Sequence, residues 1–103
     1  MAKYLFTYFG GKMETDPKAM EKSNQEWTKW FTGMGKAMVD MGAATMPGKV
    51  VSGSGVKAAG ARPVSGYTVV QADSLDKAVA LAKTCPGIKN DVQVEVSEIM
   101  PMM

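Results

Sequence analysis

Gly66-Tyr67-Thr68-Val69-Val70-Gln71-Ala72-Asp73-Ser74-Leu75-Asp76-Lys77-Ala78-Val79-Ala80-Leu81-Ala82 (66–82) changes its period halfway along. From Gly66 to Ala72 the side chains alternate. Thr68, Val70 and Ala72 share one face and Tyr67, Val69 and Gln71 the other, which is the period of a strand. Asp73 and Ser74 then supply side-chain acceptors for the unpaired N–H groups of a helix start. Leu75, Ala78, Val79 and Ala82 recur at helical steps and form one apolar stripe. Cys85-Pro86-Gly87 stops that helix, because proline has no N–H for the ladder and glycine accepts the turn. Val92 to Ile99 (VQVEVSEI) alternates again and reads as a strand with Val92, Val94 and Val96 on one side.

Upstream, Lys3 to Phe9 (KYLFTYF) is an aromatic-rich strand bounded by Gly10-Gly11, with a loop over Gly10 to Thr15. Asp16-Pro17 opens a helix, with Asp as N-cap and Pro at the first helical position. Ser23 and Glu26 offer a second start as a capping box. Trp27, Trp30, Phe31, Met34, Met38 and Met41 continue at three- and four-residue steps, so the pattern predicts a long amphipathic helix capped at Gly42. Gly33 and Gly35 lie inside it, each costing about 1 kcal/mol relative to Ala. Ala44 to Val51 (ATMPGKVV) reads as a second strand at a sheet edge or bulge, where Pro47 and Gly48 fit. Ser52 to Ala61 (SGSGVKAAGA) reads as a mobile loop or loose hairpin connection. Pro101-Met102-Met103 is a short tail. The expected order is βαββαβ, a ferredoxin-like α+β sandwich in which a four-stranded antiparallel sheet carries two helices on one face.

Composition bounds the function. The 103 residues suit a single domain, 1–103, which buries roughly 65% of the surface of its unfolded chain. Hydrophobic residues make up 46% and charged residues 21%, which argues against disorder. A net charge of +2, with the twelve Lys and Arg scattered, disfavours nucleic-acid and anionic-membrane binding. The single cysteine, Cys85, forms no intramolecular disulfide, and no apolar stretch approaches the ~20 residues of a membrane span. Met1 to Phe9 lacks a small-residue cleavage site, so it does not read as a signal peptide. These features predict a cytoplasmic protein. Histidine is absent, which removes the commonest general base and metal ligand together, so neither a metal nor a cofactor is expected. The ten methionines read as packing residues of core and interface.

Two helices cover one face of such a sheet. The all-valine side of the last strand suits the covered face. The other face then carries Tyr67, Val69 and Gln71, with either Tyr4, Phe6 and Tyr8 or Leu5 and Phe9. That mixture of aromatic and polar groups suits an interface or a ligand surface. A solvated sheet face with scattered apolar residues fits the same pattern.

The segment from Ser65 to Val79, SGYTVVQADSLDKAV, resembles the "GYxxxxAxSLDxA" stretch of YCII-related domain proteins (YciI-like). The following Ala80-Leu81-Ala82-Lys83-Thr84-Cys85-Pro86, the closing Val94-Glu95-Val96, the Lys3-Tyr4-Leu5 strand and the Trp27, Trp30, Phe31 helix are similar to that family as well. The resemblance covers nearly the whole chain. It implies a dimeric α+β barrel, a homodimer whose two sheets pack face to face around a cleft, and says little of activity. The family's "DGPF" stretch is absent from Val56 to Pro63. Its first-helix His is absent too, with Trp30 near that position and Asp40 matching the acidic partner.

The candidate ligand-binding residues are therefore Tyr8, Trp27, Trp30, Asp40, Arg62, Tyr67 and Glu95. Either Trp can stack on a flat ligand or fill the core. Asp40 is a candidate acid–base carboxylate, against a solvated one. Arg62 is a candidate anion clamp, against a solvated loop cation. Tyr8 and Tyr67 are read on the second sheet face or its rim, with Glu95 and Gln71 beside them. Ser52 to Gly55 lacks the Gly-Lys-Ser/Thr ending of a phosphate loop. Cys85 reads as a buried structural thiol. The functional expectation is a homodimer that binds a small organic ligand in its cleft. The alternative is a small cofactor-independent lyase, isomerase or hydrolase using a carboxylate or tyrosine there.

Overall fold

The computed structural model describes residues 1–11 and 16–101. Most of the loop predicted over Gly10–Thr15, and Met102 and Met103 of the predicted tail, lie outside the described residues. The chain is an α+β protein. Strand β1 (Ala2–Gly10) leads to helix α1 (Pro17–Met34), a 3₁₀ turn (Gly35–Ala37) and strand β2 (Met38–Ala44). A hairpin of β3 (Lys49–Ser52) and β4 (Gly55–Ala58) follows, then β5 (Val64–Ala72), helix α2 (Leu75–Ala82), a 3₁₀ turn (Pro86–Asn90) and β6 (Val92–Glu98). The main sheet has four antiparallel strands in the order β2-β5-β1-β6, compatible with a ferredoxin-like arrangement. The Ile99 N–H donates to the Lys3 carbonyl at 2.8 Å, which brings the end of β6 beside the start of β1.

Both helices begin on a side-chain oxygen. Asp16 accepts from the Lys18 N–H and Pro17 sits in the first turn, while Ser74 accepts from the Lys77 N–H. Ser23 therefore lies inside α1 and does not start it. The predicted end of α1 at Met41 is corrected to Met34. Gly35 adopts φ 54°, and its N–H turns back to the Thr32 carbonyl. A residue with a Cβ resists that conformation, so glycine ends the helix two turns before the apolar period runs out. Met38 and Met41 then belong to β2, and the second sheet strand predicted at Ala44–Val51 is displaced to Met38–Ala44. Lys49–Ser52 pairs instead with Gly55–Ala58, all eight residues being exposed.

The core joins both helices to one sheet face. Tyr4, Phe6 and Tyr8 of β1 and Val70 and Ala72 of β5 cluster with Trp30 of α1, Ala78 and Ala82 of α2, and Cys85. Val92, Val94 and Val96 pack against that cluster, as their alternation predicts. Of the two sets of β1 residues, the larger aromatic one is buried, because three rings remove more apolar area from water than Leu5 and Phe9. Leu5, Thr7, Phe9, Tyr67, Val69 and Gln71 lie on the face that no helix covers. No described helix is long and apolar enough to cross a membrane.

Candidate functional site

One concavity lies between α1 and the sheet, beside the end of β1 and the middle of β5. Its volume is about 630 Å³. Trp27 and Phe31 of α1 form one wall, and Tyr8 and Thr68 form the floor. Gly42 to Pro47 and Pro63 to Gly66 form the rim, with Ser23 and Asn24 on the helix side. This concavity is on the helix-covered face of the single chain, and the open face where the strand parity pointed is a separate surface.

Each wall residue is placed by local sequence. Trp27 and Phe31 are one helical turn apart, so their rings share a face of α1, with centroids 5.8 Å apart. Trp27 meets Tyr8 edge to face, at 5.3 Å and 78°. The wall at β2 depends on a backbone irregularity. Pairing of β2 with β5 slips between Met38 and Asp40 and again between Asp40 and Ala43. Gly42 takes φ 74° within this bulge, and a Cβ there would overlap the Tyr67 carbonyl oxygen. The bulge frees the Met41 carbonyl from the ladder and turns it toward Thr68.

The polar groups of the floor form a chain. The Tyr8 hydroxyl donates to Thr68 Oγ1 at 2.7 Å, and Thr68 Oγ1 donates to the Met41 carbonyl at 3.0 Å. At the rim the Thr45 hydroxyl donates to the Val64 carbonyl at 3.1 Å. Burial pushes the Tyr8 phenol well above its ordinary value, against the smaller downward pull of Thr68. The phenol is therefore neutral and protonated at physiological pH. No Asp, Glu, Lys or Arg occurs among the described lining residues. No group of three or more His, Cys, Asp or Glu able to hold a metal ion occurs among the described residues.

Of the predicted residues, the cleft brings together Tyr8, Trp27 and Tyr67. Tyr8 is corrected from the second sheet face to the covered one, where it is 6% exposed. Tyr67 borders the cleft at the bulge, with its side chain on the uncovered face by strand alternation. Trp30 is a core residue: its Nε1–H donates to Thr84 Oγ1 at 2.8 Å, and Thr84 donates on to the Leu81 carbonyl. Asp40 lies outside the cleft, where its Oδ1 accepts from the Gly42 N–H at 2.8 Å and braces the bulge. Arg62 is a clip between loops. It donates to the Asp91 carbonyl and carboxylate, both at 2.9 Å, across the face of Gly10. Glu95 is exposed on the uncovered sheet face, opposite Thr7.

Phe31 and Thr68 are wall residues that were not among the candidates. Phe31 stood in the apolar stripe next to Trp27. Thr68 carried a signal of its own, a hydroxyl in the same alternating register as Val70 and Ala72. In comparisons with known proteins, no family model matches the chain and no curated protein matches it.

Proposed function

We propose that this chain is a small-molecule binding protein of the YCII-related kind, which pairs with a second copy and holds a flat, uncharged organic ligand in the cleft between α1 and the sheet. The observation that carries the binding role is the cleft's own chemistry. It is a concavity of ligand size, about 630 Å³, with aromatic walls and a few converging hydroxyls. Its described lining offers no carboxylate or amine to move a proton near neutral pH. Among the described lining residues the acid–base alternative therefore has only the phenols of Tyr8 and Tyr67, and burial holds that of Tyr8 protonated.

Pairing is supported by the uncovered sheet face. Leu5 and Val69 lie paired at its centre, Phe9 extends the apolar surface toward one end, and Lys3, Asp40, Gln93 and Glu95 lie around them, an apolar centre with a polar rim. Two such faces related by a two-fold axis form the face-to-face sheet dimer that the resemblance implies. With ligand bound on the helix side, pairing and binding use opposite faces of one sheet.

The direct test is titration of the purified protein with neutral aromatic compounds while Trp27 is observed by fluorescence and by its indole N–H resonance. Saturable shifts that vanish in Trp27→Ala are expected. Absence of saturable binding by any neutral aromatic compound would reject the reading.

A further inference from the structure

We propose that the cleft selects planar aromatic ligands that donate a hydrogen bond, phenols and indoles over their methylated analogues. This inference rests on the binding role proposed above. A backbone carbonyl only accepts, and a threonine hydroxyl has one proton. Thr68 lies 3.0 Å from the Met41 carbonyl, so its proton goes there. Thr68 Oγ1 is then an acceptor for Tyr8, and the 2.7 Å contact takes the phenol's only proton. Thr45 gives its proton to the Val64 carbonyl in the same way. The hydroxyls of Tyr8, Thr68 and Thr45 thus spend their protons on the protein, and the donors of Ser23, Asn24 and Ser65 lie at the rim, away from this floor. The Tyr8 oxygen keeps a lone pair for a ligand.

A ligand O–H or N–H completes that lone pair. An ether oxygen in the same place meets the Tyr8 lone pair with no proton between them and loses a hydrogen bond to water on entry, and an N-methyl group leaves that lone pair without a donor. Trp27 and Phe31 present an aromatic wall to the cleft, against which a flat ring packs. A carboxylate ligand finds no cation in the described lining to repay its desolvation.

The experiment is an NMR titration of the whole protein with two matched pairs, 4-cresol against 4-methylanisole and indole against 1-methylindole, with 4-methylbenzoate as the charged probe. The donor of each pair is expected to bind roughly tenfold more tightly than its methylated partner, and 4-methylbenzoate most weakly. Thr68→Val removes the acceptor of the Tyr8 hydrogen bond and frees that O–H into the cleft, where a phenol oxygen and an ether oxygen both accept it, so the cresol–anisole preference should shrink. Tyr8→Phe should abolish the preference. Equal affinity within both pairs in the wild-type protein overturns this inference and leaves the binding role standing. Failure of all four neutral probes to bind overturns the binding role itself. Since the wild-type pairs decide the matter alone, an unfolded Thr68→Val does not protect the idea.

Discussion

Two threonines do the same work in this chain. Thr68 accepts a hydrogen bond from Tyr8 and Thr84 accepts one from Trp30, and each hydroxyl donates its own to a carbonyl, of Met41 and Leu81. Buried aromatic residues with a polar end need such a partner, because an unpaired donor costs about 1–3 kcal/mol. Cys85 is treated differently. It is 3% exposed, and burial pushes its thiol from 9.0 up to about 11, although backbone hydrogen bonds at Gly87 and Ile88 pull the other way. The unfolded chain releases this proton near pH 9, while the native chain holds it to about pH 11. Between those values the native state binds more protons, so stability falls as pH rises, by at most about 1.4 kcal/mol per pH unit. Tyr8, raised by burial above its ordinary 10.0, acts in the same direction further up. Urea unfolding at about pH 8 and about pH 10.5 should show this loss, and Cys85→Ala should show less of it. An identical pH dependence in the variant would refute the assignment to Cys85.

At the scale of elements, β2 matters most to the site. Its bulge carries the Met41 carbonyl, and it exists because Gly42 accepts φ 74° against the Tyr67 carbonyl while Asp40 holds the Gly42 N–H. Gly42→Ala is strained on both counts, and its expected cost is roughly 2–4 kcal/mol, or a fall of about 10 °C or more in Tm. An unchanged melting temperature would mean that the bulge is not fixed by this glycine. The same element shows what could be read from residues alone. The βαββαβ order, the caps at Asp16 and Ser74 and the inward valines of β6 were all legible, since each depends on neighbours in sequence. The end of α1 was not. Met38 and Met41 keep a helical spacing past Gly35, and periodicity carries no sign of where the backbone leaves the helix. The covered face of β1 was not legible either, because both of its faces are apolar. Tyr8 could be assigned to the cleft only once α1 was seen lying over it.

For the whole molecule, the proposed pairing rests on the second sheet face. With Leu5 near its centre on the inner strand β1, Leu5→Glu places a carboxylate in the proposed dimer seam without touching the helix-side core. Sedimentation equilibrium is expected to show a dimer for the wild-type chain and a monomer for the variant, with far-UV circular dichroism unchanged. A wild-type chain that stays monomeric at micromolar concentrations would overturn the pairing. Ligand affinity should persist in the monomeric variant, since Tyr8 and Trp27 lie across the sheet from Leu5.

The meeting of Ile99 with Lys3 has a further consequence. The last strand returns to the side of the first, and the exposed turn Ser52 to Gly55 lies on a hairpin whose strands pair only with each other. The sheet is therefore nearly a closed circuit in connectivity. A short linker from Ile99 back to Ala2, with a new opening cut at Gly53, yields a circular permutant that preserves every pairing of the four main strands. The order in which the ribosome lays down β1, β2, β5 and β6 can be changed while their order in space is kept, which separates the history of the chain's synthesis from the architecture it reaches.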